Sequence, residues 1–341
     1  MNIDILTNEK AQQLRQIIDQ ANGIVICCHQ NPDGDAIGSS LGLYEYLRDI
    51  GKNPLVIVPD AFPDFLHWMP GTERIIRYDR KKNLADEYIS NADLIFCLDF
   101  NTLHRTGDMV QALTDARADR VLIDHHLDPS INAVIEISHT EASSTSELVF
   151  RLINQLGGFE RMTKKGAVPL YCGMMTDTGG FTYNSTRPEI FHIISLMLTK
   201  GINKDRIYRN VYNNYSVWRL RLVGYVLLER MTIMKDGTAS YFVITKEDLK
   251  AFRYNKGDAE GLVNMPLQIK GMRLSISLRE DTEKENLIWI SLRSVDDFPC
   301  NLMAERYFNG GGHLNAAGGR LYCSIGEAEE YVRKAITEFE W

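Results

Sequence analysis

The sequence is poor in cysteine and does not arrange what it has for chemistry. Six cysteines occur in 341 residues (Cys27, Cys28, Cys97, Cys172, Cys300 and Cys323), none in a C-x-x-C pair, and most lie inside apolar runs. They are expected to be buried free thiols, which excludes a disulfide framework and a thiolate zinc site. No apolar run approaches membrane-spanning length, and the first ten residues contain no apolar signal segment. A cytoplasmic protein with no membrane partner is expected. Positive charge is also in deficit, since 38 Lys and Arg against 45 Asp and Glu leave a formal net charge of −7. A groove for long or duplex nucleic acid neutralises many phosphates, so no such partner is expected. A small phosphorylated substrate on a local positive patch remains compatible with this balance. Repeats and low-complexity tracts are absent as well.

What is present is a chain long enough for two domains. Its 44% hydrophobic and 24% charged composition is that of a soluble globular protein. Short β-branched apolar runs at 24–28, 55–58, 94–98, 121–123 and 134–137 alternate with helical patterns. Strands apolar throughout and separated by helices predict an α/β fold with a parallel sheet and helices on both faces. That N-terminal domain is expected over residues 1–200. Residues 201–230 read as a helical connector, with Lys204, Arg206, Arg209, Arg219 and Arg221 on a solvated basic face. A smaller α+β domain is expected over 231–341. It opens with a hairpin turned at Asp236-Gly237, followed by a capping box at Thr245 to Asp248. Alternating strands at 272–279 and 287–293 would then place Trp289, Ser291 and Arg293 on one face.

The chemistry concentrates at strand ends. The run at 24–28 leads into His29-x-x-Pro32-Asp33-x-Asp35-Ala36-x-Gly38-Ser39, one imidazole and two carboxylates within seven positions. Two readings fit: a solvated turn whose acids cap the following helix, or a site for divalent metal that relieves the repulsion of clustered anions. The strand at 94–98 ends in Asp99, and that at 121–123 ends in Asp124, His125 and His126. The turn after the helix at 163–175 carries Asp177. Carboxylate and imidazole without thiolate favour Mn²⁺, Mg²⁺ or Zn²⁺, and the set suffices for two ions if one carboxylate bridges them. Near the C-terminus, Gly310-Gly311-Gly312-His313 reads as a glycine turn that a phosphate could approach closely. Arg105 and the helix start at Ser143-Ser144-Thr145 are further anion-binding candidates, a solvated arginine and a plain cap being the alternatives.

These motifs, in this order, resemble those of the DHH phosphoesterase superfamily, and Gly310 to His313 followed by Ala316-Ala317-Gly318 resembles the signature of its DHHA1 domain. Within the superfamily the chain is most similar to the nanoRNase/pAp phosphatase branch. The resemblance implies that the first domain is the catalytic DHH domain and the last the substrate-binding DHHA1 domain. It implies two Mn²⁺ ions per active site, with Mg²⁺ or another divalent ion as substitutes. One would be held by His29, Asp33 and Asp99, the other by Asp35, Asp99, His125 and Asp177. His126 would contact the scissile phosphate, Asp124 would orient an imidazole, and Arg293, His313 and Gly310 to Gly312 would hold substrate. The implied activity is hydrolysis of short oligoribonucleotides to 5′-mononucleotides and of 3′-phosphoadenosine 5′-phosphate (pAp) to AMP, by two-metal activation of water. Alternatives are a c-di-AMP or pApA phosphodiesterase, a polyphosphatase, a RecJ-like exonuclease, or a nucleotide sensor without turnover. The oligomeric state is not encoded in any of these features.

Overall fold

The protein is described from a computed structural model covering residues 2–255 and 257–340. The chain divides into two units between Asn214 and Tyr215. The first contains the strands β1 (Ile24–Cys27), β2 (Leu55–Val58), β3 (Ile76–Arg77), β4 (Leu94–Leu98), β5 (Asp119–Asp124) and β6 (Ile135–Ser138). It also contains the helices α1 (Asn8–Gln20), α2 (Gly34–Asp49), α3 (Lys82–Ser90), α4 (Val110–Asp115), α5 (Thr145–Gln155), α6 (Lys164–Asp177), α7 (Pro188–Thr199) and α8 (Lys204–Tyr212). The strands form one parallel sheet in the order β3-β2-β1-β4-β5-β6.

Strand side chains alternate between two apolar layers. Ile24, Ile26, Phe96 and Ile123 pack with α1, α2, α5 and α6, while Val25, Cys27, Ile95 and Leu122 pack with α3 and α4. Both faces are therefore covered, which is why these strands read as unbroken apolar runs. Neighbouring β1 and β4 send their chains to opposite sides of the sheet. The gap beyond their carboxyl ends is the switch point at which open α/β sheets place ligands.

The second unit contains β7 (Met231–Met234), β8 (Ala239–Ile244), β9 (Leu274–Glu280), β10 (Leu287–Ser294), β11 (Gly311–His313) and β12 (Ala316–Tyr322). Its helices are α9 (Val217–Tyr225), which runs into a π turn over Val226–Arg230, α10 (Lys246–Ala251), α11 (Cys300–Tyr307) and α12 (Ile325–Glu338). The sheet order is β11-β12-β10-β9-β8-β7, antiparallel except for the β8–β9 pair. One face packs on α11 and α12 through Ile276, Ile290, Met303 and Val332. On the other, Leu222, Val226 and Leu262 cover Phe242 and Ile244 of β8. The predicted capping box forms at Thr245 with Asp248, and a second forms at Ser324 with Glu327.

The stretch 201–230 is helical in pieces: α8 ends at Tyr212, α9 starts at Val217, and the two fall in different units. Two expectations change. Arg219 is not on a solvated face. It is buried, stacks on Tyr215 with its guanidinium 3.3 Å from the ring centre, and donates to the carbonyls of Asp258 (3.0 Å) and Glu260 (2.6 Å). The glycine run is not a flexible turn, because Gly311–His313 pairs with β12 as an edge strand. A Cβ at Gly310 would collide with the Gly318 carbonyl, so close strand approach alone accounts for that glycine. The cysteines are free, five of them buried and Cys323 half-buried. Among the described residues no helix is long and apolar enough to cross a membrane.

Candidate active site and metal centre

The first unit gathers its acids and imidazoles where the strands end. His29 follows β1, Asp99 follows β4, Asp124 closes β5 with His125 and His126 after it, and Asp177 is the last residue of α6. Asp33 caps α2, its carboxylate accepting from the N–H of Asp35 (2.9 Å) and Ala36 (3.0 Å). The capping reading of Asp33 is therefore correct as far as one oxygen goes. The other oxygen lies 3.8 Å from His29 Nε2. Cap and cluster member are the same residue.

Asp99, Asp124 and His126 form one group of ligand-competent atoms within 4.8 Å of one another. Two others are His29 with Asp33 and Asp99, and Asp35 with His125 and Asp177. Asp99 stands between them. Its Oδ2 is 3.4 Å from His29 Nε2 and its Oδ1 is 3.6 Å from His125 Nε2. His125 Nε2 is also 3.4 Å from Asp177 Oδ2. The backbone at Asp99 is left-handed, with φ 65°, which turns the carboxylate off the strand axis at the switch point.

The imidazoles are oriented from behind. His29 Nδ1 donates to the Gln30 carbonyl (2.7 Å) and His125 Nδ1 to the Ala142 carbonyl (3.3 Å), the tautomers being assigned from these acceptors. Each ring thus presents Nε2 to the cluster. A backbone carbonyl on the far nitrogen is the usual support of a metal-ligating histidine. His126 Nδ1 bonds Asp124 Oδ1 (2.7 Å), so Asp124 does orient an imidazole, that of His126.

Two carboxylates respond to this crowding in opposite senses. Asp35 is fully enclosed, and burial, Asp99 and Asp177 push its pKa well above the ordinary carboxylate value. Burial acts on Asp99 in the same sense. The hydrogen bond from His29 and the three imidazoles outweigh it and hold Asp99 below the ordinary value. His29 is raised in turn: burial disfavours its charge, but Asp99 and Asp33 prevail. His126 is lowered, by burial and then by Arg105 against the pull of Asp124. Asp124 Oδ2 is buried and has no hydrogen-bond partner among the described residues. Crowded carboxylates and Nε2 atoms turned inward suit divalent cations. The residues fit two hard or borderline ions.

Sequence reasoning undervalued the start of α5. Ser144 caps it, the N–H groups of Thr145 (2.6 Å) and Ser146 (2.8 Å) donate to Asp35, and Thr145 Oγ1 donates to Asp99 Oδ1 (3.1 Å). The anion at this helix end is the protein's own carboxylate. Buried Glu147 fastens the turn, accepting from Ser143 N and Oγ (2.8 Å each) and from Arg187 (2.6 Å). The signal was legible as Ser144-x-x-Glu147, but its long-range target was not. Close packing of α2 and α6 brings Asp35 and Asp177 into range. A Cβ on Gly173 would strike Ser146 Oγ and sit 2.9 Å from Asp35 Oδ1.

In the second unit, Arg293 is half-buried on the outer face of β10, with Nη1 donating to the Leu292 carbonyl (2.9 Å). His313 stands opposite Ala316 in the β11–β12 ladder. Gly310 donates its N–H to the Ala304 carbonyl (3.2 Å) and is thereby engaged within the fold. Gly311 has room for a Cβ, with Glu305 3.8 Å away, so packing does not explain it.

Comparison with known proteins agrees with this layout. Residues 23–174 match the DHH family, N-terminal domain, and residues 239–340 match the DHHA1 domain. A solved structure described as an exopolyphosphatase-related protein from Bacteroides fragilis is 52% identical, with 98% of each chain covered and a TM-score of 0.91. The bifunctional oligoribonuclease and PAP phosphatase NrnA of Thermus thermophilus is 27% identical over 97% of this chain and 94% of its own. The cyclic-di-AMP phosphodiesterase GdpP of Geobacillus thermodenitrificans is 28% identical over 96% of this chain, which spans about half (49%) of that longer protein. With both domains present in order, and with a 52% identical relative matched end to end, the chain belongs to the DHH family of phosphoesterases and carries a DHHA1 domain.

Proposed function

We propose that this phosphoesterase hydrolyses short oligoribonucleotides to 5′-mononucleotides and pAp to AMP, using two divalent ions, with Mn²⁺ the preferred metal. The observation that carries the reading is the pair of ligand groups sharing Asp99 at the β1–β4 switch point. His29, Asp33 and Asp99 would hold one ion, and Asp35, Asp99, His125 and Asp177 the other. When bound, the ions neutralise the carboxylates, hold the phosphate and activate water for in-line attack.

The chain's own residues do the rest. Asp99 offers one oxygen to each group, so it sets the spacing of the pair. The α5 amides fix Asp35 while Gln30 and Ala142 fix the two rings, so the site is assembled before substrate arrives. His126, its ring held by Asp124, would contact the scissile phosphate. Arg105, whose charge acts on both His29 and His126, adds positive charge for the phosphate. In the second unit, Arg293 and His313 hold a terminal phosphate, and Gly311 lets the backbone come close.

Likeness to the NrnA protein supports the oligoribonucleotide and pAp reading, and likeness to GdpP supports a second one, hydrolysis of c-di-AMP or pApA. Rates on pAp, a trinucleotide, pApA, c-di-AMP, polyphosphate and a 24-mer with Mn²⁺ separate these. The expected order puts pAp and the trinucleotide first and the 24-mer last. Asp99→Ala should lower both leading activities at least about a hundredfold, since a lost metal clamp removes several kcal/mol of transition-state stabilisation. Near-normal hydrolysis of pAp by that variant rejects the bridging assignment.

A further inference from the structure

The outer face of the second sheet is built in cross-strand rows. Register sets Arg279, Trp289 and Arg320 opposite one another on β9, β10 and β12. The next row is Ser277, Ser291 and Gly318, and the next is Ser275, Arg293 and Ala316, with His313 opposite Ala316. Directly opposed residues of antiparallel strands share a face, their Cβ atoms about 5 Å apart. The first row therefore lies on the same face as the Arg293 and His313 assigned to the terminal phosphate. It is four residues away along β10, about 13 Å at 3.3 Å per residue.

That row has the chemistry of a stacking platform. Trp289 is half-buried, and its Nε1 donates to Asp281 Oδ2 at 2.7 Å. Asp281 is itself anchored by the N–H groups of Glu283 (2.9 Å) and Lys284 (2.7 Å), so the indole is tethered by its edge. Arg320 is exposed, and its guanidinium has no hydrogen bond or ion pair among the described residues. Arg279 is half-buried on the other side of the indole, 5.6 Å from the Tyr254 ring centre. Register sets this tethered indole in one row with two arginines, a set that can offer a π face to a nucleobase and planar donors to phosphate oxygens.

We propose that Arg279, Trp289 and Arg320 form a further nucleotide subsite, in which Trp289 stacks on a base of a bound oligonucleotide and the arginines pair with its backbone phosphate. The proposal rests on the proposed function only in taking the oligonucleotide's end to be held at Arg293 and His313. Stacking accepts any base, so the subsite selects by length and not by sequence.

The test is calorimetric titration of the full chain, in EDTA so that nothing is hydrolysed, with oligoadenylates of two and four nucleotides. The wild type should bind the four-mer about tenfold more tightly than the two-mer, the scale of one stacked base. Trp289→Ala should abolish that ratio, Trp289→Phe should keep most of it, and Arg320→Glu, an exposed change compatible with folding, should also abolish it. A wild type with no length preference, or variants that leave the ratio unchanged, overturns the subsite. Mn²⁺-dependent phosphate release from pAp, a single nucleotide, decides the proposed function separately, and its failure leaves the binding ratio fully readable.

Discussion

Asp35 and Asp99 are both enclosed carboxylates, yet one is pushed up and the other held down. The difference lies in their neighbours: Asp99 faces three imidazoles, whereas Asp35 faces Asp99 and Asp177 and depends on the α5 amides. The same attention to partners separates His126 from His125. His125 is backed by a carbonyl and turned into the cluster, while His126 is backed by Asp124. Asp124→Asn keeps the shape but removes the carboxylate that holds the His126 ring. It should lower kcat by about 10–100-fold, the usual effect of losing such a support, with KM for pAp little changed. Steady-state kinetics check this, and a kcat within twofold of wild type removes Asp124 from the mechanism. Which acids and imidazoles gather beyond the strand ends was readable from their positions after apolar runs. Which nitrogen each ring presents was not, because that depends on where the carbonyls of Gln30 and Ala142 and the carboxylate of Asp124 lie in the folded chain.

At the level of elements, periodicity and capping signals located the helices and strands because each acts within a few residues. Thr245 to Asp248 shows this: the box forms as read, and Arg230 adds a bond to the same carboxylate (2.9 Å). Burial pushes the Asp248 pKa up, but the bonds from Arg230 and Thr245 prevail and hold it below the ordinary carboxylate value. A carboxylate lower in the folded than in the unfolded state stabilises above the unfolded pKa of about 4 and loses that contribution as the pH falls below it. Asp248→Asn should therefore cost about 1 kcal/mol near pH 7 and flatten the acid limb of the stability curve. Denaturant titrations at stepped pH measure both, and an unchanged acid limb refutes the assignment. Local signals left the break within 201–230 unread and misled at 309–313. The helical stretch reads as uniform because its break at Asn213 to Ser216 contains neither Pro nor Gly. The glycine run reads as a loop because glycines needed for strand approach resemble glycines needed for turns.

At the scale of the molecule, all six assigned metal ligands come from the unit before Asn214, and the glycine–histidine strand and Arg293 come from the unit after it. The proposed assignment divides metal and substrate recognition between two cores. Saturation with Mn²⁺ should stabilise the first unit by about 2.7 kcal/mol at a hundred times the dissociation constant. Hydrogen exchange with and without Mn²⁺ should show new protection concentrated in the ends of β1, β4 and β5 and in the first turns of α2 and α5. Protection gained chiefly in β9 to β12 contradicts the ligand assignment.

Composition, strand-end residues and motif order were enough to determine the fold class, the family and the metal-competent side chains, since each is written in short stretches of chain. Tertiary structure decided the rest. Only the β1–β4 switch point and the packing of α2 on α6 bring His29, Asp35, Asp99 and Asp177 together across 148 positions of sequence. Only strand register sets Arg279, Trp289 and Arg320 in one row. Convergence of distant segments depends on which surfaces bury one another, and no local pattern carries that information.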